Sequence, residues 1–392
     1  MKSFKVLVAG GGAGGCSVAA KFASLPKGAV GIIDPAETHY YQPMWTLVGG
    51  GMKSLKDSSK PMSQVLPKNA VWIKDSVASF EPRENVVSLR NGEKVQYEYL
   101  VVALGMKLEY NKIEGLPEAF ETPGVCSNYS ANYVDKTFRS LKDFKGGNAI
   151  FTFPNTLIKC PGAPQKIMYI ADEYMRKHGV RNNAEIFYNS SLGVIFAVKK
   201  YADALWKVVE ERNINVNLRH ELIEVKPDSK EAVFRLLEKP EETRTFQYSM
   251  LHITPPMGPP DAVKNSSELC EETGYLDLNK FTLQHKRFPN VFGIGDCTNL
   301  PIPKTAAAVA AQGNVLYQNM KSVMENSESK ERYDGYTSCP LVTGYSKCIL
   351  AEFDYDLSPL ETFPLNQARE SRTAFHLKKD VLPTLYWELF LR

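Results

Sequence analysis

Apolar positions fall along this chain in two rhythms. Lys5-Val6-Leu7-Val8-Ala9 is nearly unbroken, which predicts a strand over residues 4–9 buried on both faces, and the small residues after it predict a helix over about residues 14–25. Val30-Gly31-Ile32-Ile33-Asp34 repeats the strand pattern and ends on an acid. Residues 70–77 and 86–90 read as strands with a turn at Asn91-Gly92, and Tyr99-Leu100-Val101-Val102-Ala103-Leu104-Gly105 as a sheet-interior strand ending in glycine. A second α/β unit opens near Gly146, with strands over 149–153 and 184–188 and helices over 164–178 and 201–212. A hairpin-like meander is expected over 222–248, then a strand over 288–296 and a helix from Thr305. The alternation predicts an α/β chain of two doubly wound units.

Chemistry enters at the strand ends. Gly10-Gly11-Gly12-Ala13-Gly14-Gly15 fits G-x-G-x-x-G, stands between a strand and a helix, and is followed about twenty residues on by Asp34. Gly10 permits the tight turn, Gly12 and Ala13 lie where backbone amides meet a pyrophosphate at the helix start, and Gly15 lets the helix approach the sheet. Asp34 is expected to accept hydrogen bonds from ribose hydroxyls. The second unit departs from this plan. Its first strand runs into Pro154-Asn155-Thr156-Leu157-Ile158-Lys159-Cys160-Pro161-Gly162-Ala163-Pro164, with no glycine turn. Proline removes an amide and its bulk blocks a pyrophosphate, so a nicotinamide cofactor is not expected there. Cys160 stands just before the expected helix start at Pro164, where a helix N-terminus, Lys159 and Lys166 favour thiolate over thiol.

Composition narrows the class. The chain has 392 residues, long enough for two or three domains, with 43% hydrophobic and 23% charged residues. A net charge of +3 is too small to imply nucleic acid. Seven irregularly spaced cysteines without C-x-x-C make neither a disulfide scaffold nor a metal site. Cys126, Cys270 and Cys348 default to structural thiols, Cys16 is expected to face the sheet from the first helix, and Cys297 to point away from the site. Nothing with the features of a signal or transit peptide precedes the first strand, and no run of 18 apolar residues occurs. Residues 373–392 crowd Phe375, Leu377, Val381, Leu382, Leu385, Tyr386, Trp387, Leu389, Phe390 and Leu391 beside Lys378, Lys379 and Arg392. Two readings stand: a terminal helix that completes the core, or an amphipathic helix in a membrane interface with its lysines at the headgroups. The apolar ending Phe390-Leu391-Arg392 leads us to expect that the original chain continues.

These residues resemble the two-dinucleotide-binding-domain flavoproteins, the glutathione-reductase-like superfamily. Within it the chain is similar to the sulfide:quinone oxidoreductase family, in its animal mitochondrial branch. The stretches that carry the likeness are His39-Tyr40-Tyr41-Gln42-Pro43-Met44-Trp45, Lys159-Cys160-Pro161-Gly162-Ala163-Pro164-Gln165-Lys166, Gly293-Ile294-Gly295-Asp296-Cys297-Thr298-Asn299-Leu300-Pro301 and Tyr336-Thr337-Ser338-Cys339-Pro340-Leu341-Val342. The resemblance implies two Rossmann-like domains and a C-terminal membrane-interface segment. It sets residues 1–120 and 288–330 as an FAD domain, 121–287 as a second domain lacking the nucleotide glycines, and 331–392 as a C-terminal region.

It further implies that Cys160 and Cys339, the latter read as lying in a turn, form a redox pair beside FAD, and that Asp296 meets the ribityl chain. Gln42 and Val77 are implied at adenosine and flavin-loop contacts, and Gly105 at the cofactor. Lys304 and the amides of Thr305, Ala306 and Ala307 suit the anionic edge of a reduced flavin, or serve as plain helix entry. Lys166 is an electrostatic candidate; Glu118 is a proton-handling candidate or an ordinary exposed acid. The implied reaction oxidises hydrogen sulfide, passes sulfur to sulfite or glutathione, and reduces ubiquinone. The implied place is the surface of the mitochondrial inner membrane. The rival reading is a type II NADH:quinone oxidoreductase, which needs the second glycine turn and has no use for the two cysteines.

Overall fold

Val6, Leu7, Val8 and Ala9 are fully buried because they form the middle of a parallel sheet with side chains covered on both faces. In the computed structural model, which describes residues 1–328 and 330–392, this sheet is the first of two built on parallel strands among the described residues. Its parallel strands lie in the order Ala70–Ile73, Val30–Ile33, Lys2–Ala9, Lys94–Val102, Val291–Gly293. The first half of Lys94–Val102 also pairs antiparallel with Val86–Leu89, which pairs with Val77–Glu81. The long strand thus pairs in parallel with Lys2–Ala9 along its length, while its other edge meets the meander at one end and Val291–Gly293 at the other.

The second sheet is wholly parallel, in the order Val125–Cys126, Met250–His252, Gly147–Phe153, Ala184–Ser190, Asn215–Leu218. It too carries an antiparallel meander, His220–Lys226, Glu231–Leu236 and Lys239–Gln247, within the stretch where one was expected. Each unit is therefore a parallel sheet with a meander, and the carboxyl ends of both sheets face loops that carry the candidate residues.

Packing crosses over at points other than residues 120 and 287. Ile113, Leu116, Ala119 and Phe120 share an apolar cluster with Leu222, Phe234 and Leu251 of the second unit. Ala262, Leu269, Leu276 and Leu283 pack with Val8, Val101 and Phe292 of the first. A third cluster joins the far face of the second sheet to the C-terminal region, including Phe375, Tyr386 and Leu391. Ionic ties reinforce that junction. Asp172, fully buried on Ala163–Lys177, accepts from Arg176 at 2.9 Å and Arg181 at 2.7 Å, and Arg212 of the next helix reaches Glu370 at 3.3 Å.

The turn expected at Cys339 is a strand. Thr337–Val342 pairs antiparallel with Cys348–Phe353, and Cys339 faces Ala351 across the ladder. Proline at 340 argues against a central strand, but this two-stranded sheet has only edges, where a missing amide is tolerated. The terminal segment is helical from Arg372 through Phe390 in consecutive α and π turns. Its inner face buries Ala374, Phe375, Lys378, Pro383 and Tyr386. Its outer face exposes Val381, Leu385 and Leu389 at 44%, 41% and 67%. Both readings of this segment thus find a face each: one side completes the core and the other presents apolar side chains to the outside. Among the described residues no helix is long and apolar enough to cross a membrane.

Candidate active site

The glycine turn and the helix Ala306–Met324 form a cradle at the carboxyl end of the first sheet. A Cβ on Gly15 would lie 1.8 Å from the Gly10 carbonyl oxygen, so helix and turn meet only without a side chain. A Cβ on Gly12 would meet nothing within 4 Å, which leaves that face of the turn open to a ligand. Ala13 begins the helix Ala13–Lys21, Gly10 has φ +107°, and Gly105, with φ +70°, is equally open. Asp34 accepts from the Gly11 amide at 2.6 Å and the Ala36 amide at 2.7 Å, and burial pushes its carboxyl up. Gly295, Asp296, Ile302, Pro303, Lys304 and Thr305 line a narrow hollow at the start of Ala306–Met324. The turn and Asp34 suit the pyrophosphate and ribose of a dinucleotide. These are residues that suit a flavin dinucleotide.

The helix at the hollow is capped by its own preceding residue. Thr305 Oγ1 accepts the Ala308 amide at 3.0 Å, which leaves the Ala306 and Ala307 amides without partners inside the helix. The same hydroxyl lies 2.7 Å from Thr337 Oγ1, tying this helix start to the strand that bears Cys339. Lys304 Nζ donates to the carbonyls of Thr298 at 2.7 Å and Leu300 at 3.2 Å, so its ammonium braces the loop 298–304. Asp296 is pushed up by burial, against the pull of Lys304 and Lys159.

Cys160 is stitched to the same place. Its amide donates to the Lys304 carbonyl at 2.6 Å, and its own carbonyl accepts from Ala163 at 2.9 Å and from the Tyr129 hydroxyl at 3.2 Å. Its backbone is left-handed, with φ +50°, an uncommon state for a residue with a side chain. The loop then enters Ala163–Lys177, with Pro164 in the first turn as expected. Cys339 approaches over Gly162: a Cβ there would come within 2.6 Å of the Cys339 sulfur. The two thiols are close enough for each to perturb the other's proton affinity.

Charge around the sulfurs is one-sided. Lys166, 2% exposed, places Nζ 3.4 Å from Cys160 Sγ. Cys160 is held well below the usual thiol range, first by the hydrogen bond from Cys339 and then, against burial, by Lys166 and Lys378. Cys339 is pushed up because Cys160 holds its proton and because it is buried. Burial pulls Lys166 down, but the neighbouring cysteines, Cys160 first, raise it past its ordinary value. One acidic and one proton-bearing thiol side by side are suited to thiol–disulfide exchange.

The remaining candidates scatter. Gln42 accepts Lys159 Nζ at 2.7 Å, on the cysteine side of the cradle. Val77 starts the first meander with its side chain buried. Glu118 is exposed at the start of the 3-10 turn Glu118–Glu121 and makes no contact with the cysteines. Cys16, Cys126, Cys297 and Cys348 are buried, and burial raises each thiol.

Lys378 overturns the headgroup assignment. It is 4% exposed, its Nζ donates to the Pro43 carbonyl at 2.9 Å, and its charge is felt at Cys160, Cys339 and Cys348. Burial and the like charge of Lys166 pull it down to about 8. Its neighbours in sequence are those of a surface helix, so only the tertiary structure reveals it. Lys159, expected to help favour the Cys160 thiolate, donates to Gln42, and burial pulls it to about 8 against the charges of Asp296 and Cys160.

The comparisons with known proteins agree with this geometry. Residues 4–143 match the model of the pyridine nucleotide-disulphide oxidoreductase family. The chain is 53% identical over 391 residues to the mitochondrial sulfide:quinone oxidoreductase of Mus musculus, covering 99% of this chain and 86% of that protein. It is 47% identical over 393 residues to the mitochondrial sulfide:quinone oxidoreductase of Dictyostelium discoideum, again covering 99% and 86%. The X-ray structure of the sulfide:quinone oxidoreductase from Aquifex aeolicus superposes with a TM-score of 0.83 at 19% identity, over 99% of this chain and 91% of that one; at that identity the likeness speaks for the fold alone. With two relatives this similar over nearly its whole length, the chain belongs to the sulfide:quinone oxidoreductase family.

Proposed function

We propose that the protein oxidises hydrogen sulfide and passes the electron pair to a quinone, with Cys160 and Cys339 as the redox pair. The observation that carries this reading is the meeting of both cysteines with Lys166 at the second sheet, where a proline stands in place of a nucleotide turn. In the oxidised pair, hydrosulfide attacks the Cys339 sulfur, the S–S bond breaks, and Cys160 leaves as a thiolate. The lower-pKa thiol is the better leaving group, and Lys166 and Lys378 are placed to hold its charge. Cys339 then carries the sulfane sulfur. Sulfite or glutathione thiolate removes it, leaving a Cys339 thiolate, and re-forming the disulfide releases two electrons. The chemistry that a bound flavin supplies is acceptance of that pair and its delivery to the quinone. With sulfite the sum is HS⁻ + SO₃²⁻ + quinone + H⁺ → S₂O₃²⁻ + quinol.

FAD is the flavin that suits the cradle, because a pyrophosphate turn and a ribose-binding acid have no work to do for a mononucleotide. Ubiquinone is the quinone we assign, and the outer stripe of Val381, Leu385 and Leu389 supports docking at a membrane surface, where that quinone dissolves. The mitochondrial names of both relatives support the mitochondrial inner membrane as the place. Anaerobic titration tests the assignment. Sulfide should bleach the flavin and raise a long-wavelength charge-transfer band, while NADH leaves the spectrum unchanged. Bleaching by NADH, with sulfide inert, would establish the type II NADH:quinone reading instead.

A further inference from the structure

The terminal segment reaches the glycine turn as well as the cysteines. His39, 3% exposed, places Nδ1 3.0 Å from the Gly11 carbonyl oxygen and Nε2 2.5 Å from the Tyr386 hydroxyl, 347 residues away in sequence. A carbonyl only accepts, so Nδ1 carries the proton. Burial keeps the ring neutral, so Nε2 accepts and Tyr386 donates. The tyrosine ring is fixed in turn, 4.4 Å from the ring of Tyr41 and 5.5 Å from that of Phe390. Each hydrogen bond in the line therefore sets the direction of the next.

What the line fixes is a peptide plane. The Gly11 carbonyl and the Gly12 amide belong to one planar trans unit, so they point in opposite directions. With the carbonyl turned inward to His39 and the Cys16 thiol, which lies at 3.1 Å, the Gly12 amide faces the open side of the turn. Asp34 holds the Gly11 amide at 2.6 Å, so His39 secures the peptide that Asp34 leaves free to rotate. We propose that Tyr386 is a positioning residue for this turn, acting through His39: the docked terminal segment retains the flavin dinucleotide, and the displaced segment releases it. This rests on the reading of the turn as the cofactor's pyrophosphate site.

The test is the rate of flavin release from the holoprotein, read as recovery of free-flavin fluorescence in mild denaturant below the unfolding transition. Tyr386→Phe keeps the ring and its packing and removes one oxygen. It should speed release about two- to tenfold, the range for one buried hydrogen bond. His39→Phe should do at least as much, and the double variant should match His39→Phe alone, because the tyrosine acts only through the histidine. Unchanged release in Tyr386→Phe overturns the proposal, even where its melting temperature falls, since that pattern marks a purely structural tyrosine. Gly12→Val separates the two levels. If it fails to load flavin while Tyr386→Phe and His39→Phe release at the wild-type rate, the clamp alone is refuted. If Gly12→Val loads normally, the reading of the turn falls and the clamp with it.

Discussion

Replacing Lys166 with methionine keeps the buried volume and removes the ammonium 3.4 Å from the Cys160 sulfur. At an effective dielectric of about 20, unit charges that close interact by about 5 kcal/mol, an upper bound for the pair. Lys378 remains and takes up part of the role, so the expected loss is about 3–4 kcal/mol, or 2–3 pKa units on Cys160. The sign follows from the thiolate. Cys160 is depressed in the folded protein, so in the reduced form its charge contributes stability above the unfolded thiol pKa, and that contribution is lost as pH falls through the depressed value. Lys166→Met should narrow this window. Because the ammonium favours the reduced pair and faces no anion in the disulfide, the variant should also be harder to reduce, by about 60–90 mV for a two-electron couple. Equilibration of the holoprotein in thiol–disulfide buffers, with alkylation of free thiols as readout, measures that potential. The difference should be full in alkaline buffer and vanish in acid, where neither protein holds a thiolate. An unchanged potential, or one displaced equally at every pH, refutes the electrostatic argument.

Cys160→Ser and Cys339→Ser should each abolish quinone reduction by sulfide with flavin still bound, whereas Cys126→Ser, Cys270→Ser and Cys348→Ser keep turnover; steady-state assays beside flavin absorbance decide this. Leu385→Ser with Leu389→Ser removes exposed apolar surface, and at about 1–2 kcal/mol per side chain should weaken liposome cosedimentation at least tenfold with the melting temperature unchanged. Equal sedimentation would detach the stripe from any membrane role. Asp172→Asn leaves the surrounding arginines short of their buried anion and should cost about 3–5 kcal/mol in denaturant unfolding.

Much of this arrangement was legible before the structure. The glycine turn, Asp34, the second strand running into proline and Cys160 are local signals, each set by backbone geometry within a few residues. The strand at Cys339 was hidden because Pro340 signals a break, and only an isolated two-strand hairpin excuses it. Lys378 was misplaced because a lysine among leucines on a terminal helix reads as an interface cation. Its hydrogen-bond partner, the Pro43 carbonyl, and the nearby Cys160 are brought to it by packing between elements remote in sequence. The same holds for His39 and Tyr386, whose partnership leaves no trace in spacing or periodicity. The packing of residues 113–120 beneath the second meander likewise leaves no local mark in the sequence.

The left-handed backbone at Cys160 has an evolutionary meaning. A side chain in that region costs on the order of 1–2 kcal/mol, which glycine avoids. Substitution by glycine at 160 would relax the loop, but it would also leave Lys166 and Lys378 buried without the thiolate charge that offsets theirs, a larger loss. The strained residue is therefore held in place by its partners: the two ammoniums that make the sulfur reactive also make its replacement costly to the fold. A stabilising screen blind to activity would be expected to leave the reactive residue where it is.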